Sequence, residues 1–219
     1  GLGQVWPYLG LGTIAGVLGA MYNISILKAL QLADLLRRVA APVRAAIIGA
    51  TVGAIGFFLP NWIGGGDDLT QRVLSETPAI TVLFGMFIVR FLLGALSYAA
   101  LTPGGLFAPM LVLGAQSGQL YGRAMNTCLP ASAPQPHAFA VVGMAAFFTA
   151  VVRAPLTGVI LVIELTGSFT LFLPMLAACF AAMAVATLLR IAPIYDSLLE
   201  RTLSPSNGPT RPRPESASR

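Results

Sequence analysis

Charge is what this chain has least of. Lys, Arg, Asp and Glu together make up 10% of its 219 residues, where a soluble domain carries about a quarter. With 56% hydrophobic residues and a mean hydropathy of +0.81, that scarcity excludes an ordinary soluble domain and predicts an integral membrane protein. Histidine occurs once, at His137 in a polar, Pro-rich loop, and cysteine twice. Cys128 falls in a loop and Cys179 in an apolar run, so both read as unpaired and neither has metal-ligand spacing. No nucleophile–base pair and no phosphate loop is present. Gly64-Gly65-Gly66 before Asp67-Asp68 is turn chemistry. The sequence thus predicts no enzyme, no metal and no cofactor. The opening Gly-Leu-Gly-Gln-Val-Trp-Pro has no initiator Met, charged leader or cleavage pattern, and reads as the interior of a longer chain.

What the chain has instead is apolar runs, at about 7–27, 43–60, 78–101, 105–126, 138–152, 155–166 and 171–192. A straight crossing needs about 20 residues. The runs at 138–152 and 155–166 fall short of that, and only Arg153-Ala154-Pro155 separates them. Short segments interrupted by Pro or Gly are a sign of discontinuous helices in transporters, although two tilted ordinary helices would look alike. The net charge of +5 does not indicate nucleic acid, because the basic residues lie between apolar runs and in the tail. Lys28, Arg37, Arg38 and Arg44 place the segment 28–44 on the cytoplasmic side. Asp67, Asp68 and Glu76 in 61–77 suit the opposite face. Counting spans from there brings the basic tail to the cytoplasm only if 102–104 turns back inside the membrane. Residues 204–219, rich in Pro, Ser and Arg, cannot bury a core and are expected to be disordered.

Three features could carry chemistry. Thr102-Pro103-Gly104-Gly105-Leu106-Phe107-Ala108-Pro109-Met110 opens a helix inside this apolar chain. Pro103 discourages helix at Thr102, Gly104 and Gly105 permit tight or positive-φ backbone, and Pro109 suits a first turn. The N–H groups of Leu106 and Phe107 would then point at one spot, and a helix N-terminus favours an anion. An ordinary interhelical turn is the alternative. Tyr195, after Ala192-Pro193 and before the amphipathic piece Asp196 to Leu203, is either an interfacial anchor or a hydroxyl donor at the inner mouth of a pathway. Arg90, Glu164 and Arg153 are charges inside or between spans, buried by expectation. Either they serve function or they pair internally and satisfy the carbonyls of broken helices. Close helix contacts are expected at the Gly12/Gly16 and Gly49/Gly53 pairs, and at Gly56 and Gly94.

Several of these stretches together resemble one family. Gly105-Leu106-Phe107-Ala108-Pro109 is similar to the GxFxP motif of the CLC chloride channels and proton-coupled chloride transporters, within a surround close to bacterial members. Arg153-Ala154-Pro155-Leu156-Thr157-Gly158, followed by Val162-Ile163-Glu164-Leu165-Thr166, resembles the family's short-helix pair. Pro193-Ile194-Tyr195 sits where the family has its pore tyrosine. The likeness runs from about residue 8 to about 203 and covers the family's second half plus the helix before it.

The resemblance implies an all-α integral membrane fold with tilted and discontinuous helices, the second half of an inverted repeat. Residues 1–203 would form the transmembrane domain and 204–219 a cytoplasmic tail. It also implies a homodimer with one pore per subunit, contacting through parts of 155–166 and 171–190. Chloride, the transported ion, would be held by the N–H groups of Leu106 and Phe107 and the Tyr195 hydroxyl, with Gly104, Gly105, Ala108 and Pro109 forming the loop around it. Neutral donors suit passage, since a full positive charge could trap the ion. The family's first half supplies a GSGIP serine, a GxEGP gating glutamate and, in transporters, an inner proton-transfer glutamate. None of these motifs occurs in these 219 residues, so a complete pore needs the missing N-terminal half. The function implied is that of a chloride channel or H+/Cl− antiporter in a bacterial inner membrane. A carrier of fluoride or nitrate, or a non-transporting assembly or regulatory subunit, is the alternative.

Overall fold

A computed structural model describes residues 5–35, 41–63, 66–75, 78–100, 105–128 and 135–203. The turn at 102–104, including Gly104, the glycines Gly64 and Gly65, Arg37, Arg38, Glu76 and the tail 204–219 lie outside the described residues. All regular structure among the described residues is helical: α1 (Trp6–Leu35), α2 (Ala41–Phe58), α3 (Gly66–Ser75), α4 (Ile80–Ala99), α5 (Phe107–Cys128), α6 (Pro136–Val152), α7 (Pro155–Thr166), α8 (Phe172–Leu188) and α9 (Ile194–Leu203). Short 3-10 turns at Pro60–Trp62 and Phe169–Leu171 precede α3 and α8. By length and composition, Trp6–Leu35, Ile80–Tyr98 and Phe169–Leu188 can cross a membrane.

Helix α6 is the centre of the bundle. Every residue from Phe139 to Val151 is buried, and α1, α5, α7 and α8 all pack against it. A helix apolar on all sides can only be stable when surrounded, and this one is. Its tightest partner is α5, because Gly114, Gly118 and Gly122 come one turn apart on one face of that helix. A Cβ on Gly114 would stand 2.5 Å from the Gly143 carbonyl oxygen, and one on Gly118 would collide with the Phe139 carbonyl. Backbones this close gain dispersion contacts that lipid cannot replace. The Gly12/Gly16 pair works the same way, seating α1 against the Ala178 and Ala182 carbonyls of α8. The Gly49/Gly53 pair does not. Cβ atoms there would meet nothing within 4 Å, because α2 stands at the edge of the chain and touches little besides α4 and the Pro60–Trp62 turn.

Two elements depart from the apolar-run reading. Helix α1 continues past Lys28 and Asp34 to Leu35, about 45 Å at 1.5 Å per residue, well beyond the run that ends near 27. Its C-terminal carbonyls are met by cations: Arg201 donates to Leu30 O at 3.0 Å and pairs with Asp34, and Arg44 donates to Ala33 O. Such donors satisfy groups that a helix end otherwise leaves open. The segment 61–77 contains α3, whose Thr70 and Val73 are buried. Gln119 of α5 donates to Val73 O at 3.0 Å, and the His137 ring nitrogen lies 3.0 Å from Leu74 O. The expected break between short helices is present. Helix α6 ends with Arg153 in the left-handed region at φ 68°, and α7 starts two residues later at Pro155.

The glycine faces predict opposite outcomes for one substitution. Gly118→Ala should destabilise the detergent-solubilised protein by about 1–3 kcal/mol through overpacking. Gly53→Ala should leave stability unchanged or raise it slightly, since Ala favours helix over Gly by about 1 kcal/mol. Thermal unfolding followed by tryptophan fluorescence checks both; equal losses would mean that the two faces are packed alike.

Candidate anion site

Helix α4 ends at Ala99 with Ala100 as its cap, and the chain re-enters the described structure at Gly105. Leu106 accepts the first bond of α5, from the Met110 N–H at 3.1 Å, so it stands at the N-cap. The N–H groups of Phe107 and Ala108, in the turn that follows, have no acceptor within the helix, and Pro109 contributes none. The Leu106 side chain is 3% exposed and holds this end in an apolar cluster with Met110, Phe147, Phe148, Val151 and Ile194. The Phe107 ring packs edge-on against Phe148, with centroids 5.8 Å apart. The motif thus buries Leu106 and Met110, half-buries Phe107, and leaves the first backbone donors of α5 without an acceptor in the helix. A Cβ on Gly105 would meet nothing within 4 Å. Its open side faces a cavity.

That cavity, of about 290 Å³, is lined by Tyr22, Arg90, Ser97, Tyr98, Gly105 and Leu106 among others. The Tyr22 ring is 0% exposed, packed against Phe91 and Phe147, and its hydroxyl is buried without a hydrogen-bond partner among the described residues. Arg90 is half-buried there and lies close enough to that hydroxyl to interact electrostatically. From the other side, the backbone of α3 approaches at Gly66, where a Cβ would run into Ala108. Two helix N-termini therefore meet at the motif.

Tyr195 is the second residue of α9, and its side chain is 47% exposed. Its neighbour Ile194 is fully buried in the same cluster as Leu106, and Tyr98 lies close enough to Tyr195 to interact electrostatically. The structure therefore brings Leu106, Phe107 and the start of α9 around one apolar centre. Arg153 fits the internal-pairing reading. Its guanidinium donates to Ala150 O and Met183 O, each at 3.3 Å, to Ile191 O at 2.7 Å and to the Thr187 hydroxyl. Glu164 corrects the expectation of a buried charge. Helix α7 buries Gly158, Val159, Val162 and Ile163, and Glu164 falls on the opposite, exposed face beside Ile160 and Leu165.

Tyr22, Tyr98 and Asn23 were not singled out by sequence, and Gly66 was read only as part of a turn. Tyrosines in apolar runs read as core, and only the fold shows a hydroxyl without a partner.

Comparisons with known proteins bear on the family and the fold. The family model for the voltage gated chloride channel matches residues 1–187. The H(+)/Cl(-) exchange transporter ClcA of Vibrio parahaemolyticus is 38% identical over 208 residues, covering 92% of this chain and 44% of that protein. ClcA of Klebsiella pneumoniae is 34% identical over 206 residues, covering 91% and 43%. The chain thus spans less than half the length of these relatives. Among solved structures, a slow cyanobacterial Cl−/H+ antiporter superposes with a TM-score of 0.86 at 33% identity, over 95% of this chain and 49% of that one. A eukaryotic CLC transporter gives 0.76 at 27%, over 90% and 35%. An all-helical chain with this broken-helix motif, matched by the family model over most of its length, belongs to the voltage gated chloride channel family, the CLC proteins.

Proposed function

We propose that this chain is the chloride-binding C-terminal half of a proton-coupled chloride exchanger in a bacterial inner membrane. The observation that carries the reading is the N-terminus of α5. Its Leu106, Phe107 and Ala108 donors, which have no acceptor within the helix, stand in an apolar surround beside the helix that bears Tyr195. Chloride is held there by the N–H groups of Leu106 and Phe107 and by the Tyr195 hydroxyl. Gly105, Ala108 and Pro109 shape its rim. Donors without full charge bind a dehydrated anion yet let it leave.

Exchange rather than free conduction is favoured by the bacterial relatives, which are named as H(+)/Cl(-) exchangers. The first half of the protein supplies the rest of the pathway. The exposed apolar face of α7 and α8, with Leu156, Ile160, Leu165, Phe172 and Phe180, supports contact with a second copy. The distribution of Lys and Arg supports a cytoplasmic C-terminus.

Chloride efflux from liposomes with simultaneous pH recording tests the reading on the full-length protein. Coupled proton movement is expected. Chloride flux without protons would make it a channel, and no flux from inserted protein would favour an assembly or regulatory role. The 219 residues alone should conduct nothing.

Tyr195→Phe should weaken chloride binding by about 1.5–3 kcal/mol, the worth of a hydrogen bond to a charged group, with little change in folding. Calorimetric titration with chloride measures it, and unchanged affinity would remove the hydroxyl from the site. Gly105→Val, which fills part of the cavity, should cut flux about tenfold, or 1.4 kcal/mol, while Gly53→Val on the open face of α2 leaves it near wild type. Equal losses would reduce the motif to packing.

A further inference from the structure

Tyr195 sits on a short arm. Helix α8 ends at Leu188 and α9 begins at Ile194, so a linker of non-helical backbone delivers the phenol to its place. Two successive carbonyls of that linker are held by side chains from remote parts of the chain. Ile191 O accepts from the Arg153 guanidinium at 2.7 Å, and Ala192 O accepts from the Asn23 amide at 3.2 Å. Asn23 is 0% exposed, and its amide nitrogen also donates to Val151 O, in the last turn of α6, at 3.2 Å. Both of its N–H bonds are thereby used, one on α6 and one on the arm. Its Oδ1 is buried without a partner among the described residues, a cost that an apolar side chain would not carry.

Arg153 makes the second tie. As the left-handed cap of α6 it places its fork between Ala150 O of α6, Met183 O and the Thr187 hydroxyl of α8, and Ile191 O of the arm. Only a planar guanidinium reaches so many acceptors at fixed angles; an ammonium on a flexible stem does not.

We infer that Asn23 and Arg153 are positioning residues for the Tyr195 hydroxyl, and that together they set the affinity of the inner chloride contact. The inference rests on Tyr195 being a chloride ligand, as proposed above. Both residues act through backbone carbonyls on the arm and touch no ion. The α6 end is common to both ties, through Val151 O and Ala150 O, so the start of α9, whose Ile194 is buried with Phe147, Phe148 and Val151, keeps one distance from α6. A hydroxyl must lie within a few tenths of an ångström of its place to serve an anion. A linker of free backbone would not hold it there.

The test is a double-mutant cycle on the full-length protein, read as chloride affinity by calorimetric titration beside thermal unfolding. Asn23→Leu keeps the size and removes both donors, and Arg153→Lys keeps the charge and removes the fork. Each is expected to weaken chloride binding about tenfold. Combined with Tyr195→Phe, neither should weaken it beyond Tyr195→Phe alone, because a misplaced hydroxyl and an absent one are equivalent. A purely structural role would lower the unfolding temperature while leaving affinity at wild type, or add its loss to that of Tyr195→Phe. Either result would overturn the inference and leave Tyr195 as a ligand. Wild-type affinity in Tyr195→Phe itself would overturn both. Should Asn23→Leu fail to fold, Arg153→Lys completes the same cycle. Wild-type affinity in Arg153→Lys would also count against the inference, since its charge alone would then suffice.

Discussion

A helix that ends inside a bilayer leaves backbone groups that no water can satisfy. That constraint organises this molecule, because several of its helices stop short of a full crossing. The two kinds of end are treated differently. Carbonyls near the ends of α1, α6 and α8 receive donors from Arg201, Arg44, Asn23 and Arg153. The N-terminal donors of α5 receive no helical acceptor, and Pro109 reduces their number instead of covering them. These negative helix ends are closed by side chains, and the positive end of α5 has no acceptor within its own helix. An anion pathway requires that polarity.

Close packing makes the arrangement rigid enough to matter. With α6 buried from Phe139 to Val151 and α5 laid against it backbone to backbone, neither the motif at Leu106 nor the cap at Arg153 can drift independently. Leu106 and Ile194 share a cluster with residues of that same helix. The site is therefore built on the most buried element of the chain rather than on a surface loop, which suits contacts that depend on tenths of an ångström.

Much of this was legible from residue types. Pro and Gly restrict or free φ wherever they occur, so the breaks before Phe107 and after Val152 could be read directly, and helix α7 starts and stops where its Pro155 and Gly167 place it. Apolar composition marks a span but not its end, which is why α1 runs on over Lys28 and Asp34 once Arg201 and Arg44 close its carbonyls. Helix α3 escaped notice because a glycine run and paired aspartates look like a turn until α5 supplies a surface for Thr70 and Val73. Spacing alone could not tell Gly12/Gly16, which meets α8, from Gly49/Gly53, which meets nothing within 4 Å. Nor could it show that Glu164 faces outward. Asn23 was beyond reach altogether: its partners are carbonyls 128 and 169 residues away, and a carbonyl carries no sequence signature.

The placement of charge follows from the same constraint. If the proposed function holds, a net charge of +5 risks trapping the anion. Here Arg153 and Arg201 spend their charge on carbonyls, a hydroxyl and, for Arg201, the carboxylate of Asp34. A guanidinium set against a helix C-terminus faces partial negative charge, so its field at a distance is reduced. Under the proposed function, the donors that would meet the ion at the α5 N-terminus and at Tyr195 are backbone amides and a phenol, each with only a partial charge. Binding of that strength can be won by preorganisation and lost again on the next step, as transport demands. On this view the arginines are close to the pathway because broken helices need them, and their pairing is what keeps them from becoming the binding site.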